Sequence, residues 1–257
     1  MSGPELLPLS VVIIAQDERR NIVDCLRSAA FVSERVVIDG GSKDETVQLC
    51  EEEGARVVYR KFDGFIPQRE ASIAAATQDW VLCLDADERV SPALEQEIRA
   101  LFANGTPDCD GYELPRLAFH LGRWIRGGGW YPDAKMRLFD RSKARNVGAE
   151  PHDRIVVDGA VRRLKGDLLH YPYRDLEHHL KKMDRYTETA ARSMFARGRR
   201  LATLRMWIMP PLGFLRSYLL RLGMRDGLVG LRLASLDARY EFLRYSKLRK
   251  LQKGQEL

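Results

Sequence analysis

Two short runs, residues 9–15 (LSVVIIA) and 80–84 (WVLCL), are almost wholly apolar and rich in β-branched or aromatic side chains. A strand that alternates polar and apolar residues can leave one face in water, whereas runs like these need cover on both faces. The segments around them supply that cover. Residues 17–30 read as a helix with Ile22, Val23 and Leu26 inward, 35–38 as a second strand, and 47–53 as a helix stopped by Gly54. A third strand at 56–59 and a helix at 66–76 lead into the run at 80–84, and Ser91-Pro92 opens a helix to about Phe102, with Ser at N-cap and Pro at N1. Strand and helix in alternation predict an α/β fold with a mainly parallel sheet, right-handed crossovers and ligands beyond the strands' carboxyl ends.

The pattern changes after about residue 108. Shorter strands are predicted at 112–119, 136–139, 154–157 and 167–171, and from Asp175 onward the sequence reads as helical, broken at Pro210-Pro211 and Gly223. Charge divides in the same way. Residues 1–161 carry 20 basic and 27 acidic side chains, while 162–257 carry 22 and 9, so the net charge of +6 hides an acidic half and a strongly basic one. Such a split points to an anionic partner for the second half. With 257 residues, 45% of them hydrophobic, the chain can bury a full core, and disorder is excluded. Cys25, Cys50, Cys83 and Cys109 form no CxxC pair, which predicts free thiols rather than a zinc site. No signal peptide is evident in MSGPELLPLSVV, and with reduced thiols this sets the expectation of a cytoplasmic protein.

Acidic residues cluster where the strands end: Asp17-Glu18, Asp39 with Asp44, and Asp85 with Asp87. Carboxylates at that edge face the expected ligand crevice. Asp85 and Asp87, two apart, project to one side of an extended chain and together can hold Mg²⁺ or Mn²⁺, whose remaining ligands are water and phosphate oxygens. The competing reading is that one of them only caps the following turn. At 39–44, Asp-Gly-Gly-Ser-Lys-Asp, capping by Ser42 or Asp44 is expected to leave Asp39 free. The loop lacks the GxGxxG phosphate fingerprint, which disfavours a nicotinamide cofactor.

SVVIIAQDE (10–18), VIDGGSKDET (37–46) and WVLCLDADE (80–88), in that order at strand ends, resemble the nucleotide-binding half of the family-2 glycosyltransferases, a GT-A fold with a Rossmann-like sheet. The resemblance implies a GT-A catalytic domain over 1–172, with a nucleotide-sugar half at about 9–108 and an acceptor half at about 109–172, followed by a basic amphipathic helical extension at 173–257. It implies that Ala15, Asp17, Glu18 and Asp39 contact uracil and ribose of a UDP-sugar donor, that Asp85 touches ribose or sugar, and that Asp87 ligates the metal. LGRWIRGGGWYPD (121–133), MRLF (136–139) and LKGDLLHYPY (164–173) further resemble the subgroup that glucosylates the inner-core heptose of lipopolysaccharide, which implies a lipid-linked saccharide acceptor.

An inverting displacement needs one general base and no enzyme nucleophile. Asp153 is the first candidate, Glu150 the second and Asp133 the third; relatives read His-Glu where this chain has His152-Asp153. Asp153 could instead be a turn residue paired with Arg154 or Arg137. Arg123, Arg126, Lys135 and Arg137 are candidates for diphosphate or acceptor phosphates, against a solvated basic face, which is favoured for Arg123. His170 is a candidate for the metal or diphosphate, against a packed histidine at the domain edge. Trp124, Trp130 and Tyr131 read equally as a sugar platform or as core, and His178-His179 as surface residues of a helix.

In the tail, Leu204, Trp207, Ile208, Leu215 and Leu219 alternate with Arg205, Arg216 and Arg221. The segment is too short and broken to span a bilayer as one helix but suits helices lying on an anionic membrane surface. A helical bundle packed on the catalytic domain is the alternative, and both can hold. The expected enzyme is therefore peripheral on the inner face of the cytoplasmic membrane. A nucleotidyltransferase would carry a Gly-rich basic loop after the first strand, where this chain has Ala15-Gln-Asp-Glu. A nucleic-acid-binding module is disfavoured by the acidic strand ends and the apolar tail.

Overall fold

The computed structural model describes residues 5–148 and 154–257. Its first part alternates as β1 (Leu7–Ala15), α1 (Ile22–Ser28), β2 (Val32–Asp39), α2 (Thr46–Glu52), β3 (Arg56–Tyr59), α3 (Phe65–Ala75) and β4 (Trp80–Asp85). Then come β5 (Glu88–Val90), α4 (Pro92–Phe102), β6 (Gly111–His120), β7 (Arg123–Ile125), β8 (Asp133–Asp140), β9 (Ala144–Val147), β10 (Arg154–Val157), β11 (Val161–Arg163) and β12 (Leu168–His170). Three helices close the chain: α5 (Leu176–Ala196), α6 (Ala202–Leu215) and α7 (Gly227–Gln252). Contacts divide it into two compact units, 5–116 with 134–170, and Leu117–Asp133 with Tyr171–Leu257. Residues 117–133, read from sequence as part of the acceptor half, thus belong with the terminal helices.

In the first unit the sheet runs β3-β2-β1-β4-β8-β6-β12-β5. The β3-β2-β1-β4 half is parallel, while β4–β8 and β12–β5 are antiparallel, giving a mixed, GT-A-like α/β fold. β1 occupies the middle of the parallel half because both its faces are apolar. Leu9, Val11 and Ile13 pack into one core with α1 and α4, and Val12 packs into the other with Val36, Val81 and Phe139. Deleting a side chain such as Ile13 would cost about 2–5 kcal/mol. α4 starts where the sequence places it, with Ser91 Oγ accepting from Leu94 N at 3.2 Å and Pro92 at N1.

Two helix boundaries depart from expectation. Residues 17–21 form a turn and not helix, because Asp17 holds φ at +57° and the Glu18 carbonyl accepts from Asn21 and Ile22 N–H. Pro210 and Pro211 do not break α6, which runs through them into a π-helical turn, Arg216–Leu220. Packing of α6 along α7, and of α7 along α5, overrides the local cost of proline. β5, β7, β9 and β11, three or four residues each, are too short to show periodicity in sequence.

The second unit has its own core of Ala191, Ala202, Met206, Tyr245 and Leu248. A second cluster corrects the reading of His179 as a surface residue: it is buried, its Nδ1 lies 2.9 Å from His120 Nε2, and Tyr173 stacks on it at 4.1 Å. Trp130 stacks on His120, and Trp124 packs edge-on against Phe119 and Tyr171. Both tryptophans are half-buried among other rings. Arg123 stays exposed, as expected of it, while its Nη1 donates to the Asp226 carbonyl at 2.8 Å.

Burial, reinforced by the neighbouring His120, pushes His179 down to about 4. A histidine unfolds to a pKa of about 6.5, so the unfolded chain binds a proton that the folded one refuses, and stability falls as pH drops from the unfolded value towards the folded one. The thermal midpoint should therefore fall between pH 7.5 and 5, and fall less for His179→Gln, as scanning calorimetry at the two pH values would report. Equal falls would mean that His179 is solvated in the fold.

Candidate active site

Strand register brings the predicted carboxylates to one edge. Ala15 pairs with Asp39, and Ile14 with Asp85, so the carboxyl ends of β2, β1 and β4 lie side by side. Gly40 N donates to the Ala15 carbonyl at 2.8 Å and ties the two exit loops together. Across that junction Asp17 Oδ1 accepts from Lys43 N at 2.7 Å, Asp17 N donates to Ser42 Oγ at 2.9 Å, and Glu18 N donates to Thr46 Oγ1 at 2.8 Å. Asp44 Oδ1 accepts from Thr46 N at 3.0 Å, the turn-closing role expected of it.

Asp39 is not left free by that arrangement. Its carboxylate is 3% exposed and accepts from Gly41 N at 2.9 Å and from Ser42 Oγ at 2.5 Å, with Ser42 N reaching both oxygens. The loop can fold back on it because Gly41 adopts φ +101°, a conformation that a side chain would strain.

Asp85 ends β4 inside a cluster of ions. Arg137 Nη2 donates to Asp85 Oδ2 and, at 2.6 Å, to Glu88 Oε1. Arg69 from α3 reaches Asp85 Oδ1 at 3.4 Å, and Arg116 from β6 reaches Glu88 Oε1 at 3.1 Å. Glu88 is fully buried, and its Oε2 accepts from Asp85 N at 3.0 Å, closing the Asp85–Glu88 turn. Burial alone would raise the Asp85 pKa, but the guanidinium of Arg137, with Arg69 and Arg116 behind it, holds the carboxyl well below the usual carboxylate range. Arg137, expected among the phosphate-binding cations, is itself buried and commits its Nη2 to these two carboxylates.

Asp87 meets a different partner, His170. Pairing of β12 with β5 sets His170 opposite Glu88, which brings His170 Nε2 to 3.5 Å from Asp87 Oδ2. A carboxylate oxygen and an imidazole nitrogen at this spacing fit a Mg²⁺ or Mn²⁺ site that takes its remaining ligands from water and a diphosphate. Among the described residues no group of three ligating side chains occurs, and these two are the described candidates for such a site.

Of the general-base candidates, Glu150 and Asp153 lie outside the described residues, and Asp133 opens β8 in the second unit. Glu88, Arg69 and Arg116 were missed as site residues. Glu88 stands in the Asp-Ala-Asp-Glu string, but only the fold shows that it points inward. Arg116 had one usable signal, a cation set between Leu114 and the apolar Leu117-Ala118-Phe119 of β6.

A model of the family described as Glycosyl transferase family 2 matches residues 10–156. The chain is 28% identical over 249 residues to the lipopolysaccharide core biosynthesis glycosyltransferase LpsC of Rhizobium meliloti (strain 1021), across 94% of this chain and 92% of that one. An uncharacterized glycosyltransferase of Rickettsia typhi is 27% identical over 255 residues, across 95% of this chain and 87% of the relative. Among solved structures, S. aureus TarS (residues 1–349, in complex with UDP-GlcNAc) aligns over 97% of this chain and 93% of that chain, with a TM-score of 0.48 and 13% identity. The family match covers more than half of the chain, which belongs to glycosyl transferase family 2 and is a glycosyltransferase.

Proposed function

We propose that this enzyme transfers a hexose, with glucose the first donor to test, from a UDP-sugar to a lipid-linked saccharide, the inner core of lipopolysaccharide, with inversion at the anomeric carbon. The observation that carries the reading is the Asp87–His170 pair at 3.5 Å beside the clamped Asp85, at the edge where β1, β2 and β4 end. Similarity to LpsC, whose name places it in lipopolysaccharide core biosynthesis, supports the acceptor class. The reaction is assigned to the inner face of the cytoplasmic membrane, where a lipid-linked acceptor would meet a cytoplasmic nucleotide sugar.

In this reading Ala15, Asp17, Glu18 and Asp39 border the uridine, and Asp85 faces ribose or sugar. Asp87 and His170 would hold a divalent cation, whose contribution is to neutralise charge on the departing diphosphate. Arg137, with Arg69 and Arg116, keeps Asp85 ionised, and Glu88 fixes the turn on which Asp87 sits. A carboxylate of the acceptor half, Asp153 first, then Glu150 and Asp133, takes the proton of the acceptor hydroxyl as its oxygen attacks opposite the leaving group.

The metal and the clamp separate by mutation. Asp87→Asn should leave the melting temperature near wild type yet lower Mn²⁺-dependent UDP affinity at least tenfold in calorimetry; unchanged affinity would remove Asp87 from the donor site. Glu88→Gln leaves buried Arg137 and half-buried Arg116 short of an anion, and breaking a buried pair costs about 3–5 kcal/mol. It should therefore lower the melting temperature as well as turnover. For the base, Asp153→Asn should cut turnover by about 10²–10⁴-fold while UDP affinity stays within twofold, and near-normal transfer by that variant would move the role to Glu150 or Asp133.

A further inference from the structure

In the second unit α6 has two apolar faces. Ala202, Met206 and Gly213, on one side, are buried, Met206 in the core with Tyr245 and Leu248 of α7. About half a turn away, at spacings of three and four, Leu204, Trp207, Ile208, Leu212 and Leu215 stand exposed, and Leu219 extends the row into the next turn. Trp207 is 67% exposed, and beyond the row Leu220 and Leu228 reach 80% and 78%. An open apolar face of this extent on a folded unit marks a surface that is covered in use.

Its rim carries charge of one sign. Residues 197–232 contain eight arginines and a single acid, Asp226. That acid is 2% exposed and turned inward, accepting from Gly127 N at 2.7 Å and Arg126 N at 3.2 Å. No helix of the described residues is long and apolar enough to cross a membrane. A second copy of the chain on this face would set arginines against arginines, which like-charge repulsion opposes. An anionic lipid leaflet meets both demands, taking the leucines and tryptophan below the headgroups and the arginines at phosphate level.

We propose that the open face of α6, continued through Leu219, Leu220 and Leu222, lies in the plane of an anionic bilayer and is the docking surface of this unit. The face carries an element of the sequence motif with it. The turn after α6 holds the Gly127–Trp130 loop, Gly128 N donating to the Arg221 carbonyl at 2.8 Å, and a Cβ on Gly127 would come within 2.4 Å of the Leu222 carbonyl. Lipid contact at Leu222 and the position of that loop are thereby mechanically joined. The proposal adds a surface to the lipid-linked acceptor reading, and its test does not depend on sugar transfer.

The full chain would be sedimented with phosphatidylcholine vesicles and with vesicles containing 30% phosphatidylglycerol, at about 50 and 500 mM salt. Binding to the anionic vesicles at low salt, little to the neutral ones, and a blue shift of tryptophan emission that Trp207→Phe removes without loss of binding are expected. Leu212→Glu should weaken binding at least tenfold, and Arg205→Gln and Arg216→Gln about fivefold each, with unchanged circular dichroism because all three side chains lie outside the core. Equal binding to both vesicle types, wild-type binding by Leu212→Glu, or a dimer in size-exclusion chromatography that Leu212→Glu dissolves would overturn the proposal. UDP calorimetry on the same samples reports separately whether the glycosyltransferase reading has failed.

Discussion

The edge where β1, β2 and β4 end depends on a buried ion cluster. Asp85 and Glu88 lie where water cannot solvate them well, and Arg69, Arg116 and Arg137 arrive from α3, β6 and β8 to compensate. Burying any one of these charges alone would be prohibitive, so the elements that carry them must meet at this point or the fold does not close. The cluster therefore joins the parallel half of the sheet to its antiparallel half through side chains as well as through strand pairing. It also defines which carboxylates remain available. Asp85 and Glu88 satisfy the cations, the turn between them is fixed by Asp85 N on Glu88, and Asp87 stands 3.5 Å from His170.

Much of the first unit is legible in sequence because it obeys simple periodicities. β1 and β4 must be covered on both faces, α4 has its cap and proline in order, and acids at three strand ends announce the ligand edge. What was not legible depends on contacts between residues far apart in the chain. His170 reaches Asp87 only because β12, a strand the sequence predicts at 167–171, pairs with β5, which at three residues has no pattern to read. Arg137 looked like a phosphate ligand because a cation in a strand near the edge is ambiguous until its neighbours are known. His179 looked exposed because a His-His pair at a helix start is polar by composition, whereas aromatic stacking by Tyr173 and a partner in His120 let it be buried neutral.

The charge split seen in the sequence acquires two separate physical origins. In the first unit acids outnumber bases, some standing at strand ends, as Asp39, Asp85 and Asp87 do, and others in surface ion pairs such as Glu34 with Arg56, while arginine neutralises Asp85 and buried Glu88. In the second unit Arg123 and Arg244 answer the buried acids Asp226 and Glu241, but arginines outnumber acids there, and several stand in the same segment as an uncovered apolar face. Pro210 and Pro211 fit that division. They would weaken a helix standing alone, yet α6 is held by α7 along one side, Trp207 meeting Phe242 at its border, while Leu204, Leu212 and Leu215 stay exposed on the other.

The state of Asp39 bears on how a base would be recognised at this edge. A carboxylate offers about four lone-pair positions, and the donors of Gly41 and Ser42 occupy most of those of Asp39. Such a group has little capacity left for new bonds, but its direction is fixed before any ligand arrives. Little entropy is then lost in orienting it, and a ligand must match the position of the remaining lone pair instead of drawing the side chain to itself. Asp17, held at φ +57° and bonded to the same loop through Lys43 N, is oriented by the same means. Discrimination at this edge would accordingly come from the shape of two loops locked to each other, and loosening Ser42 would blunt it even though Ser42 need never touch the ligand.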